Sequence, residues 1–357
     1  MPFDHLPALL EPHLPAHLRG PVDLEPLPDK GLAHWHVRLK GTGLLARIPK
    51  QSQMALAAAD NLAYQSACFR RAAPSGHVPL LHAVVPPSAL LPRGALLVEE
   101  IVGVPASRPE HLGAIVRALA AIHALPVPPA PDRAPLLDEP DPLAGLIALI
   151  EAQARYLDHP AVPAGSARLL KHRLQGLSTR MAPLVSACPK RLITFDAHPG
   201  NFLITPTGKA VLVDLEKLRY SLPPLDLAHA SLYTSTTWDR EASFKLSTDD
   251  VVRACATWAA AVGDAVAAPC RGAVVPLREL MWLWSVTWCA KWLAESAVQP
   301  GDRGDRGDRS AGEDWSAQHS EAALIRHVQE RVNDYLNPDT IQRMLAEFEA
   351  LKGLMAP

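Results

Sequence analysis

The sequence predicts an α+β fold of two lobes, with a small β-rich lobe over residues 1–101 and a larger, mainly helical lobe over residues 102–357. Apolar runs of strand length fill the first third of the chain, and Gly103 and Pro105 then break this pattern. Beyond the break, helical periodicity continues towards the C-terminus around one group of short apolar runs. The chain has 357 residues, 48% of them apolar, which is enough to bury a core of this size.

The N-terminal lobe begins with a predicted β-hairpin. Residues 35–39 and 44–48 have strand character, and Gly41-Thr42-Gly43 between them supplies the turn. The other predicted elements of this lobe are a helix over residues 52–73 and strands over residues 79–85 and 95–102.

The C-terminal lobe is predicted as helices around a β-island. The helical patterns cover residues 110–124, 143–157, 164–187 and 274–298, and the three short runs of the β-island cover 191–195, 202–205 and 210–215. The triplet Gly301-Asp302-Arg303 is repeated as 304–306 and 307–309. Alternating charge with a glycine at every third position cannot build a core, so a flexible surface loop is predicted at about 299–316.

Composition and charge exclude several classes of function. The formal net charge is −2, so no basic excess indicates a nucleic acid or an anionic membrane as partner. The five cysteines are odd in number and widely spaced, which argues against a disulfide framework or a zinc site and favours a reducing compartment. The N-terminus lacks the order of a signal peptide, and charges interrupt the apolar stretch 274–298. We therefore expect a soluble, cytoplasmic protein.

The β-island carries the residues that predict a chemical function. Asp196 precedes Asn201 by five positions on a loop between two apolar runs, and Asp214 ends another run. Phosphoryl transfer needs in-line positioning, Mg²⁺ on the phosphate oxygens and a carboxylate for the acceptor hydroxyl. Asp196 can be that catalytic carboxylate, while Asn201 and Asp214 can supply oxygen ligands for Mg²⁺.

These residues resemble the aminoglycoside phosphotransferase and choline kinase families. Asp196, His198 and Asn201 match the HGDxHxxN catalytic loop, and Asp214 falls where these families have their metal-binding aspartate. Two further segments carry the resemblance, Pro224-Leu225-Asp226-Leu227-Ala228 and Ala121-Ile122-His123-Ala124-Leu125-Pro126. It runs from about residue 29 to 238 and implies a protein-kinase-like fold. The implied activity is ATP- and Mg²⁺-dependent phosphorylation of a small-molecule hydroxyl on an amino alcohol, a sugar or an aminoglycoside-like acceptor.

The resemblance also implies residues that bind the nucleotide. Arg47 stands where the family has a basic residue that touches the ATP phosphates, and Lys50 is the competing candidate. Gly31 is the glycine that remains of the phosphate-covering turn, and His34 stands where asparagine or serine is common. Glu100 and Ile101 fall in the hinge, whose backbone would bind the adenine edge.

Three departures from the family pattern favour a second hypothesis. The histidine and glycine that precede the catalytic aspartate are Thr194 and Phe195 here. The family's helix glutamate aligns with Gln65, which can hydrogen-bond Arg47 but cannot form an ion pair with it. The alternative is therefore a catalytically impaired pseudokinase that acts as a nucleotide-binding or interaction module.

Indole side chains are the candidates for the acceptor site. Trp284, Trp288 and Trp292 recur every four residues and share a helix face, and Trp238 is a further candidate. Stacked indoles could bind an ammonium group by cation–π attraction, although aromatic residues at such spacing more often pack in a core.

Two residues of the matching segments are predicted to be structural rather than catalytic. Asp226 can either cap the helix that follows it or brace the catalytic loop, and His123 is predicted to be a buried structural histidine.

Overall fold

The computed structural model describes residues 5–28, 33–296 and 322–355. Gly31 and the loop predicted at about 299–316 lie outside these residues. The chain folds as two compact units and passes from the first to the second between Val102 and Gly103. In the described ranges, no helix is both long enough and apolar enough to cross a membrane.

The first unit contains an antiparallel sheet of five strands in the order β1-β2-β3-β5-β4. Its elements are α1 (Leu6–Leu10), β1 (Leu24–Pro26), β2 (His34–Leu39), β3 (Leu44–Pro49), α2 (Ala58–Ala72), β4 (Leu81–Val85) and β5 (Ala95–Glu99). The helix α2 begins six residues later than the start predicted at Ser52. The Ser52 hydroxyl accepts hydrogen bonds from the N–H groups of Met54 and Leu56, so this segment forms a turn instead.

The predicted hairpin is confirmed as β2 and β3. Leu39 pairs with Leu44 across a turn in which Gly41 and Gly43 have φ angles of 73° and 71°. Glycine adopts this left-handed conformation without steric penalty, which explains both glycines. Apolar side chains of the hairpin, including Val37, enter one core cluster with α1 and β5.

The second unit is larger and mainly helical, which confirms the predicted α+β class with a β-rich first part. Its elements are β6 (Val104–Pro105), α3 (Leu112–His123), α4 (Pro142–Ala154), α5 (Ala164–Leu174), α6 (Leu177–Val185), β7 (Arg191–Ile193), β8 (Phe202–Ile204), β9 (Ala210–Leu212), β10 (Arg219–Ser221), α7 (Pro224–Ser231), α8 (Tyr233–Thr236), α9 (Thr248–Val262), α10 (Asp264–Cys270), α11 (Val274–Ser296), α12 (Ala322–Tyr335) and α13 (Pro338–Leu354).

Two small sheets form the β-island. The strands β6, β8 and β9 make one sheet and β7 and β10 the other. The sequence did not predict β10, which pairs with β7. The strand β10 also contacts the segment before α4, because the Tyr220 N–H donates to the Leu137 carbonyl over 2.9 Å. The single helix predicted over 164–187 is two helices, α5 and α6, because Gly176 has a φ of 63° and ends the regular helix.

The core of the second unit lies around α11 and α7. All eight residues of α7 are buried, and α11 is buried on nearly every side. Two of the four charged residues of α11 are buried and paired within the unit, Arg278 with Glu347 at 2.6 Å and Glu279 with Arg173 at 2.8 Å. A buried guanidinium or carboxylate is tolerated only when it is paired in this way.

The expectation of no disulfide is wrong for one pair of cysteines. Cys188, just after α6, is bonded to Cys270, the last residue of α10, across 82 positions of sequence. Wide spacing along the chain did not indicate the bond, because the fold alone brings these two Cα atoms to 4.4 Å. Cys68, Cys255 and Cys289 are free and buried.

Candidate active site

The predicted catalytic loop connects β7 to β8 and brings Asp196 and Asn201 together. The Asn201 side-chain amide donates from Nδ2 to the backbone carbonyl of Asp196 over 2.8 Å. Its backbone N–H donates to the His198 carbonyl over 2.9 Å and so closes a tight turn. Because Nδ2 is engaged, the amide oxygen of Asn201 is the side-chain atom suited to bind a cation.

Asp214 follows β9 and joins the same centre. The neighbouring Val213 N–H donates to the Asn201 carbonyl over 2.9 Å, which ties the end of β9 to the catalytic loop. The Asp214 charge acts to raise the pKa of Asp196, as expected of two carboxylates at short range. The structure therefore brings together Asp196, Asn201 and Asp214, which the sequence singled out.

Asp196 is held in its ionised form by its surroundings. Burial acts to raise its pKa, but the opposing charges, of which that of Lys217 is the largest, outweigh burial, and the net pKa lies below the usual value. The Lys217 ammonium is 3.2 Å from Oδ2 of Asp196, and Nδ1 of His229 is 3.8 Å from Oδ1. Burial lowers the pKa of His229 to about 4, so this imidazole is neutral near neutral pH. Lys217 is therefore the counter-ion of Asp196.

A buried brace fixes the backbone of the loop. Asp226 is 0% exposed and accepts hydrogen bonds from the N–H groups of Thr194 and Phe195, at 2.7 and 2.8 Å, and from Nε2 of His123 at 3.0 Å. The Trp258 indole N–H donates to Nδ1 of His123 over 3.0 Å, so the imidazole donates through Nε2. No side chain caps α7, so Asp226 acts as the brace rather than as a cap. His123 is buried and structural, as predicted.

Phe195 occupies a backbone position that normally suits glycine. Its φ is 57°, in the left-handed region, and it stands where the family pattern has glycine. Its ring meets the Trp284 indole edge-on at 5.5 Å between centroids, and the Arg219 guanidinium lies over the ring, 3.8 Å from its centroid. The two hydrogen bonds to Asp226 hold this conformation although it is unfavourable for a phenylalanine.

The indoles predicted as acceptor candidates lie in three different surroundings. Trp284 is 7% exposed, and its centroid is 5.9 Å from His229, which itself contacts Asp196. Trp238 and Trp288 are only partly buried and meet edge-on at 5.6 Å. Trp292 belongs to the core, as the alternative of core packing predicted.

A carboxylate lies beside the loop on the side of Trp238. A Cβ atom placed on Gly200 would lie 2.9 Å from the side chain of Asp239, so the loop and this aspartate are in close contact. Asp239 is fixed by the N–H groups of Glu241 and Ala242, which donate to its Oδ1.

In the first unit, the Gln65 amide does not hydrogen-bond Arg47 directly, although its chemistry allows such a bond, because His34 lies between them. Nη2 of Arg47 is 3.1 Å from Nδ1 of His34, and Nε2 of His34 is 3.1 Å from Oε1 of Gln65. His34 reaches between the two other side chains, which the sequence pattern did not indicate. The competing candidate, Lys50, lies over the ring of Trp35 with its ammonium 5.5 Å from the centroid.

The hinge residue Glu100 is fixed by the hairpin and its neighbour strand. Its N–H donates to the Gly43 carbonyl over 2.8 Å, and its carboxylate accepts from Nε of Arg38 over 2.6 Å. This ion pair raises the pKa of Arg38, chiefly through the hydrogen bond to Glu100. Ile101 follows without belonging to a strand, and both residues stay predictions as adenine-binding positions.

Sequence reasoning missed Lys217, His229 and the bridging position of His34. Lys217 comes three residues after Asp214, and a lone basic residue past a strand is usually solvated, so its position carried no signal. His229 lies within the Pro-Leu-Asp-Leu-Ala helix, where only burial reveals its contact with Asp196. The departure at His34 was visible in the sequence, but its partners were not.

Comparisons with known proteins agree with this geometry. The sequence matches the phosphotransferase enzyme family over residues 24–267. No curated protein matches it.

Solved structures show the same fold at low identity. A choline/ethanolamine kinase family protein from Mesorhizobium loti is 19% identical, with 98% of this chain and 100% of that chain covered and a TM-score of 0.59. A choline kinase from Cryptosporidium parvum is 11% identical, with 98% of each chain covered and a TM-score of 0.61. The GDP complex of aminoglycoside 2'-phosphotransferase-IIIa is 15% identical, with 93% and 99% covered and a TM-score of 0.58. These similarities confirm the predicted protein-kinase-like fold class.

Proposed function

Because the chain belongs to the phosphotransferase enzyme family, we propose that it transfers the terminal phosphoryl group of ATP to a hydroxyl of a small molecule. The observation that carries this proposal is the convergence of Asp196, Asn201 and Asp214 on one braced loop. The acceptor is an amino alcohol, a sugar or an aminoglycoside-like compound.

The residues at this centre fit a magnesium ion. Mg²⁺ prefers oxygen ligands, and the amide oxygen of Asn201 and the carboxylate of Asp214 are of that kind. The Asn201 amide is already oriented by its Nδ2 bond to the loop. When bound, Mg²⁺ neutralises charge on the phosphate oxygens during transfer.

Asp196 is the proposed catalytic residue. Its carboxylate accepts a hydrogen bond from the acceptor hydroxyl and takes the proton as the new O–P bond forms and the bond to the leaving ADP breaks. An ionised aspartate is needed for this step, and Lys217 at 3.2 Å favours that form. The Phe195 and Thr194 N–H groups, held by Asp226, keep the carboxylate in position.

Arg47 is the proposed phosphate-binding residue of the first unit. It is the basic side chain on β3, and Lys50 is engaged over Trp35. Gly31, Gln65 and the hinge residues Glu100 and Ile101 complete the proposed nucleotide-binding set. The GDP complex of a structural relative supports nucleotide use by this fold.

The alternative of a pseudokinase rested on Thr194, Phe195 and Gln65. Asp226 braces the loop without the family's histidine, because it binds the backbone N–H of Thr194 rather than a side chain. His34 connects Arg47 to Gln65 by hydrogen bonds of 3.1 Å on each side of its ring. Both observations favour the enzyme over the impaired module.

One experiment separates the two hypotheses. Melting temperatures are measured with ATP or GTP, each with and without Mg²⁺, since a ligand that binds only the native state must raise its stability. The enzyme hypothesis expects metal-dependent stabilisation by a nucleotide, followed by phosphate transfer to at least one member of a pool of amino alcohols, sugars and aminoglycosides. Absence of both effects would support the interaction module.

Variants assign the roles within the proposed site. We expect Asp196→Ala to lower the rate of phosphoryl transfer by a factor of about 10²–10⁴ while Mg·ATP still binds. Asp214→Ala should abolish transfer and also weaken Mg·ATP binding. Near-native phosphotransfer by either variant would show that the role is misassigned.

The indoles of Trp238, Trp284 and Trp288 are proposed to contact the acceptor. Trp284 contacts His229, which in turn contacts Asp196. Trp238 and Trp288 form the partly exposed pair. Trp288→Leu should weaken acceptor binding and leave Mg·ATP affinity nearly unchanged, with the largest effect for a cationic acceptor, because indole faces attract cations. An unchanged acceptor KM in a stable Trp288→Leu protein would exclude this site.

A further inference from the structure

Three buried polar side chains form a chain across the first unit. Arg47 of β3, His34 of β2 and Gln65 of α2 are 4%, 3% and 2% exposed. The imidazole stands between the other two, with 3.1 Å from Nδ1 to the Arg47 guanidinium and 3.1 Å from Nε2 to Oε1 of Gln65. We call these three residues the relay.

The chemistry of the partners sets the proton of the imidazole. A guanidinium can only donate, so Nδ1 of His34 must accept and carry no proton. The ring then carries its proton on Nε2 and donates it to Oε1 of Gln65. The relay therefore runs in one direction, from the Arg47 donor through His34 to the Gln65 acceptor.

We propose that His34 is a positioning residue for nucleotide phosphate binding, because its Nδ1 atom orients the guanidinium of Arg47. This inference rests on the proposed function and assigns His34 a part in it. Both side chains are buried, so the hydrogen bond between them helps to fix the direction in which the guanidinium points. Gln65 acts one step further away, because its amide oxygen holds the imidazole in the required tautomer.

Two substitutions at His34 test which nitrogen matters. The Oδ1 atom of asparagine comes close to the position of Nδ1, and the side-chain amide of glutamine comes close to that of Nε2. His34→Asn therefore keeps the acceptor for Arg47, while His34→Gln and His34→Ala lose it. Calorimetry with Mg·ATP and steady-state kinetics supply the dissociation constant, the KM for ATP and the KM for the acceptor.

We expect His34→Ala and His34→Gln to raise the dissociation constant and the KM for ATP about tenfold, the effect of losing one hydrogen bond to a charged group. The KM for the acceptor should stay unchanged. His34→Asn should remain within about threefold of wild type, since it restores the bond to Arg47. Gln65→Leu, which frees the imidazole to change tautomer, should weaken ATP binding in the same selective way.

The control is Leu62→Ala on the same helix as Gln65. Leu62 is buried, and this variant should lower the melting temperature without moving the affinity for ATP. If His34→Ala and His34→Gln only lower the melting temperature, as Leu62→Ala does, the relay is structural and the inference is overturned. If the wild-type protein binds no Mg·ATP, the proposed function is wrong. This result is distinct from a failure of the His34 inference, because it is obtained without any variant.

Discussion

The loop that carries Asp196 and the strand that carries Arg47 are held by buried polar networks of different composition. The brace in the second unit centres on a carboxylate, Asp226, which receives three hydrogen bonds from two backbone N–H groups and His123. The relay in the first unit passes from Arg47 through His34 to Gln65 by side chains alone. A buried carboxylate is stable only when donors satisfy it, so the brace is the more demanding of the two.

The difference explains which departures from the family pattern the fold tolerates. A brace that holds backbone groups is insensitive to the side chain at the held position, so Thr194 can replace histidine there. A relay of side chains has no such freedom, and the change to Gln65 is accompanied by His34 as the connecting group. Substitutions in and around the two networks test this difference, and the expected effects decrease from Asp226 to Lys217.

Breaking the brace should give the largest loss. Asp226→Asn keeps one acceptor oxygen but turns an NH₂ group towards an N–H donor, so one buried donor loses its partner. We expect the free energy of unfolding to fall by about 3–5 kcal/mol, with a large loss of transfer activity, because the network is fully buried. Urea denaturation and kinetics measure both, and a variant with native stability and activity would exclude the brace.

Reducing the disulfide should give the next largest effect. Cys188 and Cys270 close a loop of 82 positions in the second unit, for which chain entropy predicts a stabilisation of up to about 4 kcal/mol. The melting temperature should therefore fall on adding a reductant. The melting temperature of the double variant Cys188→Ser, Cys270→Ser should not change on adding a reductant. If alkylation of the unfolded, unreduced protein modifies all five cysteines, the bond is absent.

Substitutions at Phe195 test the strain that the brace maintains. Removing the buried ring destabilises the protein in either variant, but Phe195→Gly relieves the left-handed backbone and Phe195→Ala does not. We expect the glycine variant to be more stable than the alanine variant by about 1 kcal/mol, the reverse of the usual order. An alanine variant of equal or greater stability would mean that the loop relaxes when the ring is removed.

Lys217 should affect the pH dependence more than the rate at neutral pH. Its charge helps to hold the pKa of Asp196 below the usual value, so the carboxylate stays ionised, and transfer stays possible, until the pH falls through that lowered pKa. Lys217→Met raises the pKa of Asp196, so the acidic limb of the kcat profile should move to higher pH. An unmoved acidic limb in Lys217→Met would contradict the pairing.

Strong local patterns predicted most of the elements. The hairpin of β2 and β3, the helix α3 and the strands of the β-island followed from periodicity and turn glycines. The boundaries at Ala58 and Gly176 did not follow from these patterns. A turn at Ser52 delays the start of α2, and the left-handed Gly176 separates α5 from α6. The strand β10 was too short to carry a pattern of its own.

The sequence by itself determined the family, the α+β class and the set of Asp196, Asn201 and Asp214, because these depend on residue types at short spacing along one loop and its following strand. Tertiary structure alone decided the counter-ion Lys217, the bridging His34 and the bond between Cys188 and Cys270. Each of these depends on distances between segments far apart in the chain, and such distances are set by how helices and sheets pack around the core. Local spacing carries no information about them, so the same residues would be ordinary surface or core positions in another fold.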